Sequence, residues 1–511
     1  MARTTYEAEE GLRDFETLLD KPESSPSTLT TTKAKTAYSD YFRSSLWSSI
    51  RSKSTKPLKP TAYLDGLRGF AALLVYSLHH QVWGHSGVGG EFILENAFGW
   101  EKQYYFVCLP GIRIFFSGGH IAVAIFFIIS GYVLSMKSLK LIHAGESVKL
   151  ADTLGSALFR RWLRLYIPVA ATTFVWMTSW HVLKIKSGNP IADGPESNYI
   201  DEIWKWYCDF KNFSFIFTGE PTNAYNDHAW SIPAEFRGSV VIYTALLAFA
   251  RLKKNARLMC ELGLVYYFLY IVDGWFCALF MTGLLLCDLD LLAEKGQLPE
   301  IMHRLKPLQS WIYYVLILIS LYLGGVPSIT DDLDHLRRSP GWYLLSFMKP
   351  QAFWDVRWFF RYWAATCAMI AIPRIPKFKS FFETPFCQYL GKVSYGFYLV
   401  HGPVLWTLGD RIYAATGRFR EGHVEIVPGW INIFPFPRWG PFGLELDYLV
   451  PHLILLPFTL WLAEVVTKIF DEQSVNFSQW LFNTLLDTNE APEKNTRWVP
   501  GVEADSLYRL K

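Results

Sequence analysis

The residues with the most chemical potential in this sequence lie where ionisable groups are most costly. The stretch YLDGLRGFAALLVYSLHHQV, Tyr63 to Val82, reads as a membrane span, yet it carries Arg68, His79 and His80. Charge in hydrocarbon is expensive, so such groups point to function by default. A neutral imidazole accepts protons near neutral pH, and a guanidinium holds phosphates or a developing oxyanion. Arg68 and His79 are eleven residues apart. At 3.6 residues per turn this is about three turns, returning to within roughly 20° of the same face. Both side chains can then line one cavity, whereas His80 is turned about 100° away. The structural alternative has Arg68 snorkelling to the interface and His79 bonding a neighbouring helix.

Three further stretches carry groups of the same kind. In FRRWLRLYIP, Arg161 and Arg164 stand one turn apart at the start of an apolar run, suited either to bidentate phosphate binding or to anchoring at a cytosolic helix end. In NDHAWSIPAEFRGSV, Glu235 follows His228 by about two turns. It reads as orienting a catalytic imidazole or an acceptor hydroxyl, or as a salt-bridge partner of Arg237 or another intramembrane base. In GKVSYGFYLVHGPVL, Ser394, Tyr395, Tyr398 and His401 form a polar seam, open to interhelical bonding or cavity lining. The run FFIISGYVLS holds Ser130 and Gly131, where helix packing is the first explanation. Ser130 has no GxSxG elbow around it, which argues against a covalent serine nucleophile.

These residues need elements to position them, and the composition says which. Over 511 residues, 51% are hydrophobic, 17% aromatic and only 19% charged, the profile of a polytopic membrane protein. A net charge of +3, with no aromatic-basic stripe and no zinc-ligand spacing, gives no support for nucleic acid or a metal. The pattern predicts an all-α bundle of about ten transmembrane helices, near residues 63–82, 121–136, 165–182, 230–250, 259–272, 275–289, 311–326, 356–372, 386–408 and 449–469. Asp273 and Gly274 must then mark a tight turn between two short spans. Residues 1–60 read as a polar cytosolic tail, with a short interfacial helix or a linker around Asp40–Lys53, and residues 471–511 as a cytosolic C-terminal tail. Lys and Arg concentrate in the short connections on the N-terminal side, as the positive-inside rule requires. That orientation puts the sequon at Asn212 in the lumen and the one at Asn476 in the cytosol. The seven cysteines look like buried apolar residues, with a Cys108–Cys208 disulfide open if both loops face an oxidising lumen.

Taken in order, LDGLRGFAALLVYSLHH, FFIISGYVLS, RRWLRLYIP, WSIPAEF and GKVSYGFYLVHGPV resemble the motifs of the acyltransferase-3 family of integral membrane acyltransferases, in its fungal branch. The resemblance spans Ala62 to Phe470. It implies a roughly ten-helix domain over residues 61–470 that moves an acyl group, often acetyl, from acyl-CoA to a hydroxyl of a small metabolite, lipid or sugar. It implies no permanently bound cofactor, with acyl-CoA as co-substrate. Arg68 and His79 match the family's essential pair, Glu235 its fourth-motif carboxylate, and Arg161 and Arg164, with Arg68, the donor side. The proline of RLYIP, Pro168, falls one place later than in many members, and the tail after Phe470 is too short for a fused esterase-like domain. The expected mechanism is direct attack: His79 takes the acceptor's proton while Arg68 holds the donor or the oxyanion. A proton-coupled transporter is the rival, since the same groups suit a relay, but no second copy of the Arg68–His79 span exists to form a repeat. The bilayer is the expected bulk partner, the endoplasmic reticulum the default membrane, and the acceptor is left open.

Overall fold

The chain divides into residues Met1–Arg43 and Ser44–Lys511. The computed structural model describes residues 58–187, 194–217, 222–300, 304 and 306–486, all in the second unit. The segment Asp40–Lys53, expected as a short interfacial helix or a linker, lies outside the described residues. Among the described residues there are helices and no strands. The longer ones are α1 (Ala62–His85), α2 (Gly119–Ala144), α3 (Ser147–Leu183), α4 (Tyr199–Ser214), α5 (Ser231–Phe249), α6 (Lys254–Tyr266), α7 (Trp275–Glu294), α8 (Gln309–Leu323), α9 (Val356–Ala371), α10 (Pro385–Val404), α11 (Asp410–Thr416), α12 (His452–Val466) and α13 (Glu472–Leu485).

Each of the ten stretches expected to span falls on one of these helices. By length and composition, four helical segments can cross a membrane: Gly119–Ala144, Asp227–Phe249, Trp275–Glu294 and Leu446–Leu485. The others are helical but fall short of that measure for a physical reason. Helices α1, α3 and α10 carry the polar residues that make the site, while α6, α8 and α9 have 13, 15 and 16 residues, fewer than a typical span. The break at Val272–Gly274 is present. Helix α6 widens into a π turn at Tyr267–Ile271, and α7 starts at Trp275.

Small residues bring the site-bearing helices together. A side chain at Gly69 of α1 would strike the backbone of Gly391 on α10, and one at Gly391 would strike Asp65, so these helices meet backbone to backbone. Gly131 of α2 and Gly283 of α7 make the same kind of contact, each against the facing carbonyls of Phe280 and Ile128. The packing expected of FFIISGYVLS is therefore the one found. Helix α3 runs unbroken through Pro168 and begins at Ser147, well before the expected start at Leu165. The missing proline N–H frees a carbonyl one turn earlier. Next to it the Tyr395 hydroxyl of α10 donates to the Leu165 carbonyl. Residues 472–485, expected as tail, form α13 and pack on α3.

All seven cysteines are free, and the Cys108 thiol donates to the Ile93 carbonyl, so the Cys108–Cys208 disulfide is not made. Asn212 is exposed in the last turn of α4. The loop before α12 is tied down by charge. His85 Nε2 lies 3.0 Å from the Glu445 carboxylate, which also pairs with Arg418 at 3.2 Å. Burial alone would raise the Glu445 carboxyl, but the hydrogen bond and charge of His85, with Arg418, hold it down to about 2 from 4.5. The fold therefore favours the ionised form. Its contribution is complete above 4.5 and is lost as pH falls from there through about 2. We expect the thermal midpoint of the detergent-solubilised protein to fall across that window, and Glu445→Gln to flatten the fall; identical slopes would refute the assignment.

Candidate active site

Two polar clusters stand on the face of α1 that carries Arg68 and His79. The first is basic. Arg68 donates to the Gly391 carbonyl at 3.1 Å and pairs with Asp65 at 3.3 Å, its side chain 43% exposed. On α3, Arg161 donates through Nε to the Ser239 hydroxyl at 2.8 Å and through Nη2 to Glu235 of α5. Ser130 of α2 is also within hydrogen-bonding reach of Glu235. Arg164 is exposed and makes no hydrogen bond to a described residue, although Arg160, Arg161 and Asp471 are close enough for their charges to act on it. The field of Arg68 reaches both Glu235 and Asp471. Four arginines thus gather around two inward carboxylates, leaving an excess of positive charge and one guanidinium uncommitted.

The second cluster is made of imidazoles. His79 packs against His228, centroid to centroid at 3.9 Å, and lies 5.2 Å from His401; His228 and His401 are 4.8 Å apart. The rings come from three places in the chain: α1, the turn Asp227–Trp230 before α5, and α10. The His401 Nδ1–H donates to the Tyr398 carbonyl at 2.6 Å. Tyr398 in turn fastens the His228 turn, its hydroxyl bonding the His228 carbonyl and standing 2.8 Å from the Ser231 hydroxyl. Gly402 gives His228 its room, since a Cβ there would lie 2.6 Å from Nδ1. Trp406 closes that side at 4.9 Å from the His228 ring. Among the described residues these three histidines are the group whose donor atoms approach closely enough to ligate a metal ion, all within 4.8 Å of one another.

A third pair borders the cluster. His120, in the first turn of α2, points Nε2 at both oxygens of Glu95, 3.0 Å from each, and sits close enough to His79 for their charges to act on one another. Burial would raise the Glu95 carboxyl, but His120, Arg361 and Arg113 together hold it below its usual range.

The sequence-predicted residues are therefore divided. His79 lies among imidazoles, while Arg68 lies with Arg161, Arg164 and Glu235. The same-face spacing holds, but eleven residues at 1.5 Å each separate the pair by about 16 Å along α1, so they do not touch. Glu235 bonds Arg161 rather than an imidazole or Arg237, whose Nε donates to the Ile216 carbonyl. The other members were individually visible, His228 through its spacing to Glu235 and His401 in the polar seam, but nothing in the spacing joins them to His79. His120 and Glu95 carry no sequence signal beyond their types. His80 does face elsewhere, with Nδ1 2.8 Å from the Tyr413 hydroxyl.

Comparison with known proteins gives this geometry a context. The acyltransferase domain model matches residues 61–463. The O-acetyltransferase PaAT-1 of Phomopsis amygdali is 30% identical over 480 residues, 87% of this chain and 89% of that protein. Acyltransferase clz18 of Cochliobolus lunatus is 21% identical over 441 residues, covering 73% of this chain and 88% of its own. Acyltransferase R4 of a Phoma species is 21% identical over 428 residues, 70% and 86% respectively. No solved structure matches. The family model runs through both polar clusters and most of the helical bundle, so this chain belongs to the acyltransferase-3 family of membrane acyltransferases and is an acyltransferase.

Proposed function

We propose that the protein transfers an acyl group, acetyl in the first instance, from acyl-CoA to a hydroxyl of a small metabolite, lipid or sugar. One observation carries this reading: a basic cluster with an excess of positive charge and an imidazole cluster share a face of α1, about 16 Å apart. That is the reach of an extended pantetheine arm. The coenzyme phosphates lie at Arg161, Arg164 and Arg68, where guanidinium groups bind them bidentately. Arg68 thus serves the donor and not the oxyanion, and Glu235 is a positioning residue that holds Arg161. The O-acetyltransferase name of the Phomopsis relative supports both the acetyl group and an oxygen acceptor.

At the other end the thioester meets His79. The acceptor O–H gives its proton to the neutral imidazole as its oxygen bonds the thioester carbon. The tetrahedral intermediate then collapses, the C–S bond breaks, and the departing thiolate takes the proton from His79. Ester and free coenzyme A result. In this reading the bundle spans about ten times with both termini cytosolic, so the donor enters from the arginine side. The lumenal loops, including Asn212 as a glycosylation site, face the other way, and the endoplasmic reticulum is the expected membrane.

The test separates donor from acceptor. Arg164→Ala is expected to raise the KM for acetyl-CoA by about tenfold, the loss of one charge-assisted contact, and to leave the acceptor KM within twofold. Equal changes in both would remove the donor assignment.

A further inference from the structure

A general base works only if its proton-accepting nitrogen is bare before the substrate arrives, which in known catalytic constellations is ensured by a third group holding the other N–H. Among the described residues, His79 makes no hydrogen bond that does this. Its neighbours supply candidates. Helix α2 brings His120, but that ring is committed to Glu95 through Nε2. The His228 ring lies face-on at 3.9 Å, so its lone pair, which is in the ring plane, runs beside His79 and not toward it.

His401 differs in both respects. Its Nδ1–H is committed to the Tyr398 carbonyl at 2.6 Å, and a carbonyl accepts only, so Nε2 must carry the lone pair. That Nε2 is buried and has no partner, and the residue as a whole is 1% exposed. A buried acceptor left empty costs free energy, so this one calls for a donor. The centroid separation of His79 and His401 is 5.2 Å, with the ring planes tilted by 34°. It matches the distance of about 5 Å at which two imidazole edges share an N–H···N bond. The donor atoms are within 4.8 Å, a gap closed by rotation of the His79 ring, as catalytic hydrogen bonds tighten when substrate binds.

We propose that His401 is a positioning residue for His79: its Nε2 accepts the inner N–H of His79 and so leaves the outer nitrogen bare for the acceptor hydroxyl. The chain Tyr398 carbonyl, His401, His79 then does with two imidazoles and a peptide group what a carboxylate–histidine pair does elsewhere. When His79 takes the proton, the bond to His401 becomes charge-assisted and holds the imidazolium until the thiolate is ready to leave. This inference rests on the acyl-transfer reading for its purpose but not for its geometry.

The test compares His401→Phe, which keeps a ring without an acceptor, with His401→Gln, which restores one, in the full chain purified in detergent. His401→Leu serves as the acceptor-free variant if the phenylalanine protein does not fold. The direct readout is the rate at which diethyl pyrocarbonate modifies His79, followed on its peptide by mass spectrometry. We expect about a tenfold slower rate in the acceptor-free variant and a near wild-type rate in His401→Gln. Thiol release from acetyl-CoA, with an excess short-chain alcohol as acceptor, is expected to show kcat down about 100-fold in the first, with KM for acetyl-CoA unchanged, and largely restored in the second. Equal His79 modification rates in the two variants overturn the proposal. So does about one tightly bound metal ion per wild-type chain that is lost on substituting any of the three histidines, because the His401 lone pair would then be a ligand. Absence of thiol release by the wild type, with the modification difference intact, removes the acyl-transfer reading and leaves the His401–His79 pair standing.

Discussion

His79→Ala is expected to lower acyl transfer by about a thousandfold while leaving the KM for acetyl-CoA within a factor of two. The separation of the clusters makes this pattern specific. The coenzyme's phosphates are held about three turns of α1 away, so removing the imidazole withdraws the proton acceptor and little of the donor's binding. His228 and His401 remain, but one lies face-on to the lost ring and the other is buried behind it, so neither reaches a substrate placed at His79. Thiol release from acetyl-CoA measures the rate. An untargeted mass comparison of cells carrying the wild type and the variant at matched membrane levels identifies the acceptor, as a compound lacking one acyl increment in the variant. A proportional rise in KM, with kcat preserved, would mean that His79 binds the donor and the chemistry lies elsewhere.

Glu235→Ala is expected to act first on the fold. The Arg161–Glu235 pair is nearly closed off, with side chains 13% and 14% exposed. Removing the carboxylate strands a buried guanidinium, which costs roughly 3–5 kcal/mol. A marked fall in the thermal midpoint of the solubilised protein should follow. The double variant Arg161→Met with Glu235→Leu removes both charges and is expected to recover most of that stability, because an apolar pair of similar volume is tolerated where a lone charge is not. Donor affinity should stay low in the double variant, since Arg161 is needed for the phosphates. If Glu235→Ala keeps its thermal midpoint and loses only kcat, Glu235 acts in the chemistry, as its motif implied.

Much of this architecture was legible along the chain. The apolar stretches fall on helices, with four helical segments long and apolar enough to cross a membrane, because apolar composition and helical periodicity are local properties. The Asp273–Gly274 break was legible for the same reason. The shared face of Arg68 and His79 followed from 3.6 residues per turn alone. Helix α13 and the early start of α3 were missed because their amphipathic surfaces pack on each other, and that contact joins segments some 300 residues apart in sequence. The sequence alone left a Cys108–Cys208 disulfide open, since whether two segments meet depends on the bundle between them, and the favoured reading of free cysteines is the one found.

The site divides along the same line. Residue types and intrahelical offsets were enough to name Arg68, His79, Arg161, Arg164 and Glu235 and to put ionisable groups inside a membrane bundle. They did not reveal which of these touch. Glu235 joins Arg161 because α3 and α5 pack side by side, and His79 meets His228 and His401 because α1 packs on α10 at Gly69 and Gly391 while Gly402 leaves room for the His228 ring. Glu95 meets His120 only when a loop folds back over α2. Position along one helix is a property of that helix. A partner on another helix is fixed by backbone approach, small-residue gaps and loop closure, none of which has a local period in the sequence.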